Sequence, residues 1–167
     1  MADDKTNSAD AAQEFWKHLG DSTTVMLGIN APEQHTQPMT AFAEPDNNTI
    51  WFFTRDDLDL AREVRAGQDA RMILMSKDRE VYADIRGALD CLRDRARIDK
   101  YWGPMVAAWY PQGKDDPHLI LLRFVPEEGQ VWVSDKGIIR LAFEVAKANI
   151  THTAPKAGGV ADVSFRH

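Results

Sequence analysis

Residues 37–54 read QPMTAFAEPDNNTIWFFT, and this stretch decides the fold. Two short apolar runs, 37–43 and 49–54, flank the segment EPDNN, in which Pro, Asp and Asn favour a turn. Apolar runs joined by such a cluster are typical of a β-hairpin. A polar segment that starts at Arg55 follows the second run and leads into a predicted helix over 58–66.

The rest of the sequence favours short strands with few helices between them. Apolar residues at helical spacing predict helices over 9–19, 93–102 and 138–150. Apolar or alternating runs predict strands over 23–29, 70–76, 81–89, 118–125 and 130–134. The last two strands are expected to form a second hairpin around a turn at 126–129. The series indicates a mainly β (α+β) fold, a small antiparallel barrel of six to seven strands with peripheral helices.

Length and composition indicate one globular domain. The chain has 167 residues, of which 44% are hydrophobic and 28% charged. Since no internal repeat or second core is visible, we expect a single domain over 1–150. The remaining residues, 151–167, are rich in Gly, Pro and polar types, and we expect them to form a loose C-terminal tail.

Charge and hydropathy argue against two classes of partner. The formal net charge is −6 and no Lys/Arg cluster interrupts the acidity, so nucleic-acid binding has little electrostatic basis. No apolar run approaches the roughly 20 residues that a membrane span needs. Because the first ten residues lack the basic-then-apolar order of a signal peptide, we expect a cytoplasmic location.

Common catalytic and metal motifs are absent from the sequence. It contains no G-x-S-x-G, G-x-x-x-x-G-K-[ST], G-x-G-x-x-G or H-E-x-x-H pattern. Cys91 is the single cysteine, and the five histidines show no metal-ligand spacing, so we expect no disulfide and no metal site. No residue stands out as a catalytic acid or base.

Aromatic residues are concentrated in residues 102–111, WGPMVAAWYP. Two tryptophans, a tyrosine, Gly and Pro lie close together in this segment. Trp102 and Trp109 each have two interpretations: packing in the core or a dimer interface, or contact with a flat heterocyclic ligand.

Several short motifs match a known family in order and spacing. They are FW at 15–16, PMTA at 38–41, IWFFT at 50–54, DR at 94–95, AAWYP at 107–111 and DDP at 115–117, followed by 121–126 and Trp132. Together they resemble the bacterial general stress protein branch of the pyridoxamine 5′-phosphate oxidase-like superfamily, over residues 15–132. The resemblance implies a split β-barrel homodimer with two sites, each of which holds FMN at the subunit interface.

The resemblance also implies a set of cofactor-binding residues. The strand Pro38, Met39, Thr40 and Ala41 would lie along the flavin ring, with its backbone groups meeting the pyrimidine edge. Phe53 and Thr54 would lie near the ribityl phosphate. The further contacts it implies are Tyr82, Trp109 and Trp132, the last resembling a tryptophan that reaches FMN from the partner chain.

The sequence departs from the family where the phosphate should be held. Many members carry a Ser and a Lys at the positions of Leu58 and Leu60. Because a phosphate needs donors or cations, Arg55 and Lys77 are the candidate replacements; the alternative is that each is an ordinary surface cation. The departure leaves another flavin or a tetrapyrrole as a competing ligand.

The function we expect is that of an FMN-binding flavoprotein of the general stress class and, if it is an enzyme, an FMN-dependent oxidoreductase. One alternative is a non-catalytic protein that binds or senses flavin; another is a split barrel that binds haem or a deazaflavin. We do not expect a true pyridoxamine 5′-phosphate oxidase. Those enzymes carry an Arg-Leu-His-type motif near the C-terminus, whereas here only Arg140 is available and no histidine follows Trp132 until His152.

Overall fold

The computed structural model describes residues 7–21, 24–134, 138–151 and 158–166, without the side chains of 138–144. One sheet of eight strands dominates this part of the chain. The strands are β1 Thr24–Ile29, β2 Gln37–Thr40, β3 Phe42–Glu44, β4 Thr49–Arg55, β5 Gln68–Met75, β6 Val81–Leu92, β7 Leu119–Val133 and β8 Gly159–Ser164.

Five helices surround the sheet in the described residues. They are α1 Ser8–Asp21, α2 Asp59–Glu63, α3 Arg95–Tyr101, α4 Pro104–Ala107 and α5 Ile138–Thr151. Asp94 caps α3 by accepting the N–H of Arg97 at 3.0 Å, and α4 begins at Pro104, as a residue without an N–H favours. None of these helices is both long and apolar enough to span a membrane.

The sheet curls so that its two ends are consecutive in the chain. Its order is β2-β1-β5-β6-β7-β4-β3, with antiparallel pairs throughout and β8 added to β7. The end strands β2 and β3 are separated by Ala41 alone, which is buried. The inner face encloses a core that includes Leu27, Phe52, Ile85 and Phe124. The expected antiparallel split barrel is therefore confirmed.

The first hairpin is shorter than the one predicted from the sequence, because it contains only three residue pairs. Of the first apolar run, only the part that forms β3 pairs with β4, from Phe42 opposite Trp51 to Glu44 opposite Thr49. Strand β2 instead pairs with β1 at the other end of the sheet. Since the Ala41 side chain packs into the core, the chain changes direction there and divides the first apolar run into two strands.

The second predicted hairpin is wrong, because β7 is one continuous strand of 15 residues. Pro126 lies opposite Gly87 next to a register shift in β6, where a missing N–H is tolerated. Gly129 permits a close approach of the strands, since a Cβ there would lie 2.3 Å from the Asp84 carbonyl oxygen. Pro126 and Gly129, which suggested a turn, therefore lie within one long strand.

The loose tail expected over 151–167 is also wrong in part. Residues 159–164 form β8, which pairs with the half of β7 that β4 leaves unpaired. Ala161 and Val163 are buried, and the Phe165 ring lies 5.4 Å from that of Phe15 on α1. The domain therefore extends past residue 150 to include this strand. Residues 152–157 and His167 lie outside the described residues.

Candidate functional site

A cavity of about 320 Å³ opens beside β2, the end of β4 and α4. We call it the β2–β4 pocket. Its size is at the lower end of the range for ligand sites, about 300–1,000 Å³. It is lined by Gln37, Pro38, Met39, Thr40, Phe42, Phe53, Thr54, Arg55, Leu58, Met105, Val106, Trp109 and Tyr110.

Strand β2 brings backbone hydrogen-bonding groups to the pocket. It lies at the end of the sheet and pairs with β1 alone among the described strands. The groups that do not face β1 are therefore available to a ligand. Pro38 can offer only its carbonyl, whereas the neighbouring residues offer donors as well as acceptors. This edge suits a flat ligand that carries donors and acceptors along one side.

Aromatic rings form the opposite wall of the pocket. The centroid of the Phe53 ring lies 5.5 Å from that of Phe42 and 6.1 Å from that of Tyr110. Tyr110 is buried, and burial raises its pKa to about 12, so the phenol is neutral at physiological pH. Trp109 is 79% exposed at the mouth of the pocket. Exposed and buried rings together offer a surface on which a planar ring system can stack.

The two tryptophans of the aromatic segment have different environments. Trp102 packs with Phe53 and Tyr110 in a second hydrophobic cluster outside the barrel, at 6.2 Å from each ring. Its core interpretation is therefore confirmed. Trp109 is highly exposed, so the roles to be tested for it are contact with a ligand and contact with a partner chain.

A buried carboxylate ties this aromatic wall to the barrel. Glu44 at the end of β3 accepts hydrogen bonds from Lys100 and Tyr101, each at 2.8 Å, and from Asn47 at 3.2 Å. Burial alone would raise the pKa of Glu44, but these hydrogen bonds outweigh it and lower the pKa to about 2. The ionised carboxylate thus fixes α3, from which the chain continues into α4 and the pocket wall.

Arg55 lies at the pocket rim and is already bound to two carboxylates. Its Nε and Nη2 each donate to Asp57 at 2.9 Å, and Nη1 donates to Asp116 at 2.8 Å. The hydrogen bond from Arg55 is the main reason that the pKa of Asp57 lies below its ordinary value. The guanidinium is therefore well oriented, but its positive charge is largely compensated.

A second depression, about 690 Å³ in volume, lies on the outer side of β1, β5 and β6. We call it the outer groove. Lys77, Tyr82 and Trp132 line it, and Tyr82 lies opposite Trp132 in the β6–β7 ladder. Both aromatic side chains are about two-fifths exposed. The outer groove shares no lining residue with the β2–β4 pocket.

The structure thus divides the residues that the sequence assigned to one site. The β2–β4 pocket contains Pro38, Met39, Thr40, Phe53, Thr54, Arg55 and Trp109. The outer groove contains Lys77, Tyr82 and Trp132. Ala41 lies between the strands with its side chain in the core.

Arg55 and Lys77, the two candidate phosphate ligands, line different depressions of the chain. Lys77 follows β5, and β6 and β7 separate β5 from β4, which carries Arg55. The sheet order is set by long-range pairing that sequence proximity does not reveal.

Sequence reasoning missed six residues of the pocket. They are Gln37, Phe42, Leu58, Met105, Val106 and Tyr110. Alternation along the first apolar run could have placed Phe42 beside Phe53, and the concentration of aromatics pointed to Tyr110. Met105 had no such signal, because its place at the rim depends on how α4 packs against β4.

Comparison with known proteins agrees with this architecture. Residues 10–156 match the family described as Pyridoxamine 5′-phosphate oxidase like. General stress protein 26 of Bacillus subtilis is 29% identical over 114 residues, which cover 66% of this chain and 76% of that protein.

Two solved structures are similar over most of the chain. A Jannaschia sp. CCS1 protein assigned to general stress protein 26 has a TM-score of 0.82 and 36% identity, covering 94% of this chain and 99% of that one. The general stress FMN/FAD binding protein of Xanthomonas citri has a TM-score of 0.71 and 38% identity, covering 78% of this chain and 93% of that one. The chain therefore belongs to the general stress protein branch of the pyridoxamine 5′-phosphate oxidase-like family.

Proposed function

We propose that the protein is a cytoplasmic FMN-binding flavoprotein and that FMN occupies the β2–β4 pocket. The observation that carries the proposal is the combination, in one cavity, of the open edge of β2 with the aromatic wall of Phe53, Trp109 and Tyr110. The Xanthomonas citri relative, 38% identical, is described as an FMN/FAD binding protein, which supports a flavin here.

The lining residues fit the flavin ring better than the phosphate. Backbone groups of residues 37–40 suit the polar edge of the pyrimidine ring, and Phe53 and Trp109 suit its planar faces. For the phosphate, Thr54 offers a hydroxyl and Arg55 the N–H groups left by its carboxylate contacts. Leu58 offers neither charge nor donor, so we expect weaker binding of FMN than where a cation stands at this position.

We further propose a homodimer in which the partner chain completes the cofactor site. Met75, Tyr82, Trp132 and Val160 lie opposite one another across β5, β6, β7 and β8. Their side chains are 60%, 39%, 40% and 45% exposed, which gives one apolar row on the outer face of the sheet. We call it the outer row. Contiguous exposed apolar surface of this kind marks an interface.

A homodimer would explain why residues expected in one cofactor site lie in two separate depressions of a single chain. Within one chain, Tyr82 and Trp132 do not line the β2–β4 pocket. In a symmetric dimer the outer row of one protomer can reach the pocket of the other. FMN would then be held between the two chains.

If the protein is an enzyme, we propose that it is an FMN-dependent oxidoreductase. The flavin supplies the redox chemistry when bound, and the chain binds the ring, orients it and shields it from water. We do not propose pyridoxamine 5′-phosphate oxidation, because the sequence after Trp132 lacks the Arg-Leu-His-type motif that grips that substrate.

A titration of purified apo protein with FMN tests the binding proposal. We expect quenching of flavin fluorescence that saturates with one FMN per chain, and we expect Trp109→Ala to weaken it. Wild-type protein that quenches no FMN at concentrations well above micromolar would exclude the cofactor. Reduction of the bound flavin by a nicotinamide donor then separates an oxidoreductase from a non-catalytic flavin binder.

A further inference from the structure

A cluster of potential metal ligands lies outside both depressions described above. His18 on α1 meets Asp78 and Glu80 in the turn between β5 and β6. The His18 Nε2 is 3.3 Å from Asp78 Oδ2 and 4.0 Å from Glu80 Oε2. The three ligating atoms all lie within 4.8 Å of one another. Because about 60 residues of sequence separate His18 from the two carboxylates, histidine spacing could not reveal the cluster.

The His18 ring is buried, and its orientation is fixed from one side. Its side chain is only 6% exposed. Nδ1 lies 2.9 Å from the main-chain oxygen of Glu14. Nδ1 also lies 3.4 Å from the Glu14 carboxylate. In the tautomer that donates from Nδ1 to the main-chain oxygen, Nε2 carries the lone pair that a metal ion would use. Nε2 is the ring nitrogen on the side of Asp78 and Glu80, where a metal ion could be bound by all three side chains.

Asp78 is held with one oxygen directed at the same point. Its Oδ1 accepts from the Ser76 hydroxyl and from the Glu80 N–H, at 2.5 Å and 3.0 Å. The bond from Ser76 is the main reason that the pKa of Asp78 lies below its ordinary value, so the carboxylate is ionised at neutral pH. Oδ2 remains for His18. Metal sites characteristically hold their ligands by outer hydrogen bonds of this kind.

The spacing of His18 and Asp78 suits a metal ion, since their nearest side-chain atoms are 3.3 Å apart. Tetrahedral Zn²⁺ with bonds of about 2.0–2.1 Å holds its ligand atoms roughly 3.3–3.4 Å apart. The Nε2–Oδ2 distance of 3.3 Å already meets this requirement. The distance from Nε2 to Glu80 Oε2 is 4.0 Å, and a small rotation of the partly exposed Glu80 side chain would shorten it.

We infer that His18 Nε2, Asp78 Oδ2 and Glu80 Oε2 form a binding site for a divalent transition-metal ion of the Zn²⁺ class, with water as the remaining ligand. One imidazole and two carboxylates are ligands that Zn²⁺ and Co²⁺ accept. The side chains of Asp78 and Glu80 are 49% and 42% exposed, which gives the ion access from solvent. A bound ion would join α1 to the β5–β6 turn and does not depend on the flavin.

Co²⁺ titration of tag-free, chelator-treated full-length protein tests the site. We expect visible absorption that saturates with one Co²⁺ per chain and is displaced by Zn²⁺. His18→Gln and Asp78→Asn should each weaken binding by at least about ten-fold. The matched control is His35→Gln, which replaces an exposed histidine that belongs to no group of potential metal ligands among the described residues. It should leave Co²⁺ binding unchanged.

Thermal unfolding with and without Zn²⁺ gives an independent readout. The Tm of wild type and of His35→Gln should rise with Zn²⁺, and that of Asp78→Asn should not. If buried His18 cannot be replaced without unfolding, the partly exposed Asp78 decides the question alone. Wild-type protein that binds neither ion, or Asp78→Asn protein that binds as wild type does, overturns the inference.

Discussion

Arg55 and Asp57 form a two-point ion pair at the rim of the β2–β4 pocket, with Nε and Nη2 each 2.9 Å from a carboxylate oxygen. A third bond joins Arg55 Nη1 to Asp116 at 2.8 Å. Arg55 is the one cation among the described residues that line this pocket. A phosphate that approaches it therefore meets two carboxylates as well, and its binding competes with theirs.

Removing the charge of Asp57 should favour FMN. In Asp57→Asn the guanidinium loses one anionic partner and can turn its N–H groups to the phosphate. We expect FMN affinity to rise by about two- to ten-fold, the range of one hydrogen bond. Fluorescence titration measures it, with riboflavin as the ligand that lacks the phosphate.

The matched control is Asp59→Asn, the same change of charge at an exposed position on α2 outside the pocket. It should change FMN affinity little. If Asp57→Asn strengthens riboflavin and FMN equally, Arg55 does not contact the phosphate.

Removing Arg55 should cost stability as well as FMN affinity. The side chain of Asp116 is completely buried, and Arg55→Ala would leave its carboxylate without its cationic partner. We expect Tm to fall by several degrees. The double variant Arg55→Ala/Asp116→Asn, in which the buried charge is absent, should recover part of the loss. A double variant no more stable than the single one would mean that the ion pair is not the cause.

Local patterns predicted the strands and helices well but not their pairing. The strand predicted over 81–89 lies within β6, and the helix predicted over 93–102 contains α3. These features depend on neighbours in the sequence. By contrast, Pro126 and Gly129 resembled a turn, because nothing local shows that β6 is long enough to pair on both sides of them.

The same limit applied to the site. Pro38, Phe53 and Trp109, which were assigned to one site from the sequence, line the same cavity. A resemblance to a family can bring such residues together because it carries long-range information. The compensation of Arg55 by Asp116, 61 residues away, depends on the fold and has no signature in the sequence.

Acid should weaken the attachment of the aromatic wall through Glu44. Its pKa is about 2 in the folded protein and about 4.5 without these contacts. Because the folded pKa is the lower, the ionised carboxylate stabilises the fold fully above pH 4.5, and this contribution is lost as the pH falls towards 2. Glu44→Gln should be about 2 kcal/mol less stable than wild type at pH 7, and the difference should shrink below pH 4.5.

Urea unfolding from pH 7 to pH 3 measures this difference. Asp46→Asn is the matched control, since Asp46 is an exposed acid in the same turn. It should differ little from wild type at any of these pH values. A stability gap between Glu44→Gln and wild type that is constant with pH would exclude a role for ionisation.

Two tryptophans should separate dimer formation from flavin binding. Trp132 lies in the outer row at 40% exposure, so Trp132→Glu places a charge in the proposed interface. We expect the dimer to weaken by at least about 30-fold, as for a central aromatic residue of an interface, and the monomer to lose FMN affinity because the partner no longer completes the site.

Trp109→Ala removes the other exposed tryptophan, which lies at the pocket mouth. This variant should remain a dimer, and its FMN affinity should fall about ten-fold, which is the contribution of one stacked ring. Light scattering and FMN titration of both variants test the pair. A Trp132→Glu protein that is monomeric and still binds FMN like wild type would place the whole cofactor site within one chain.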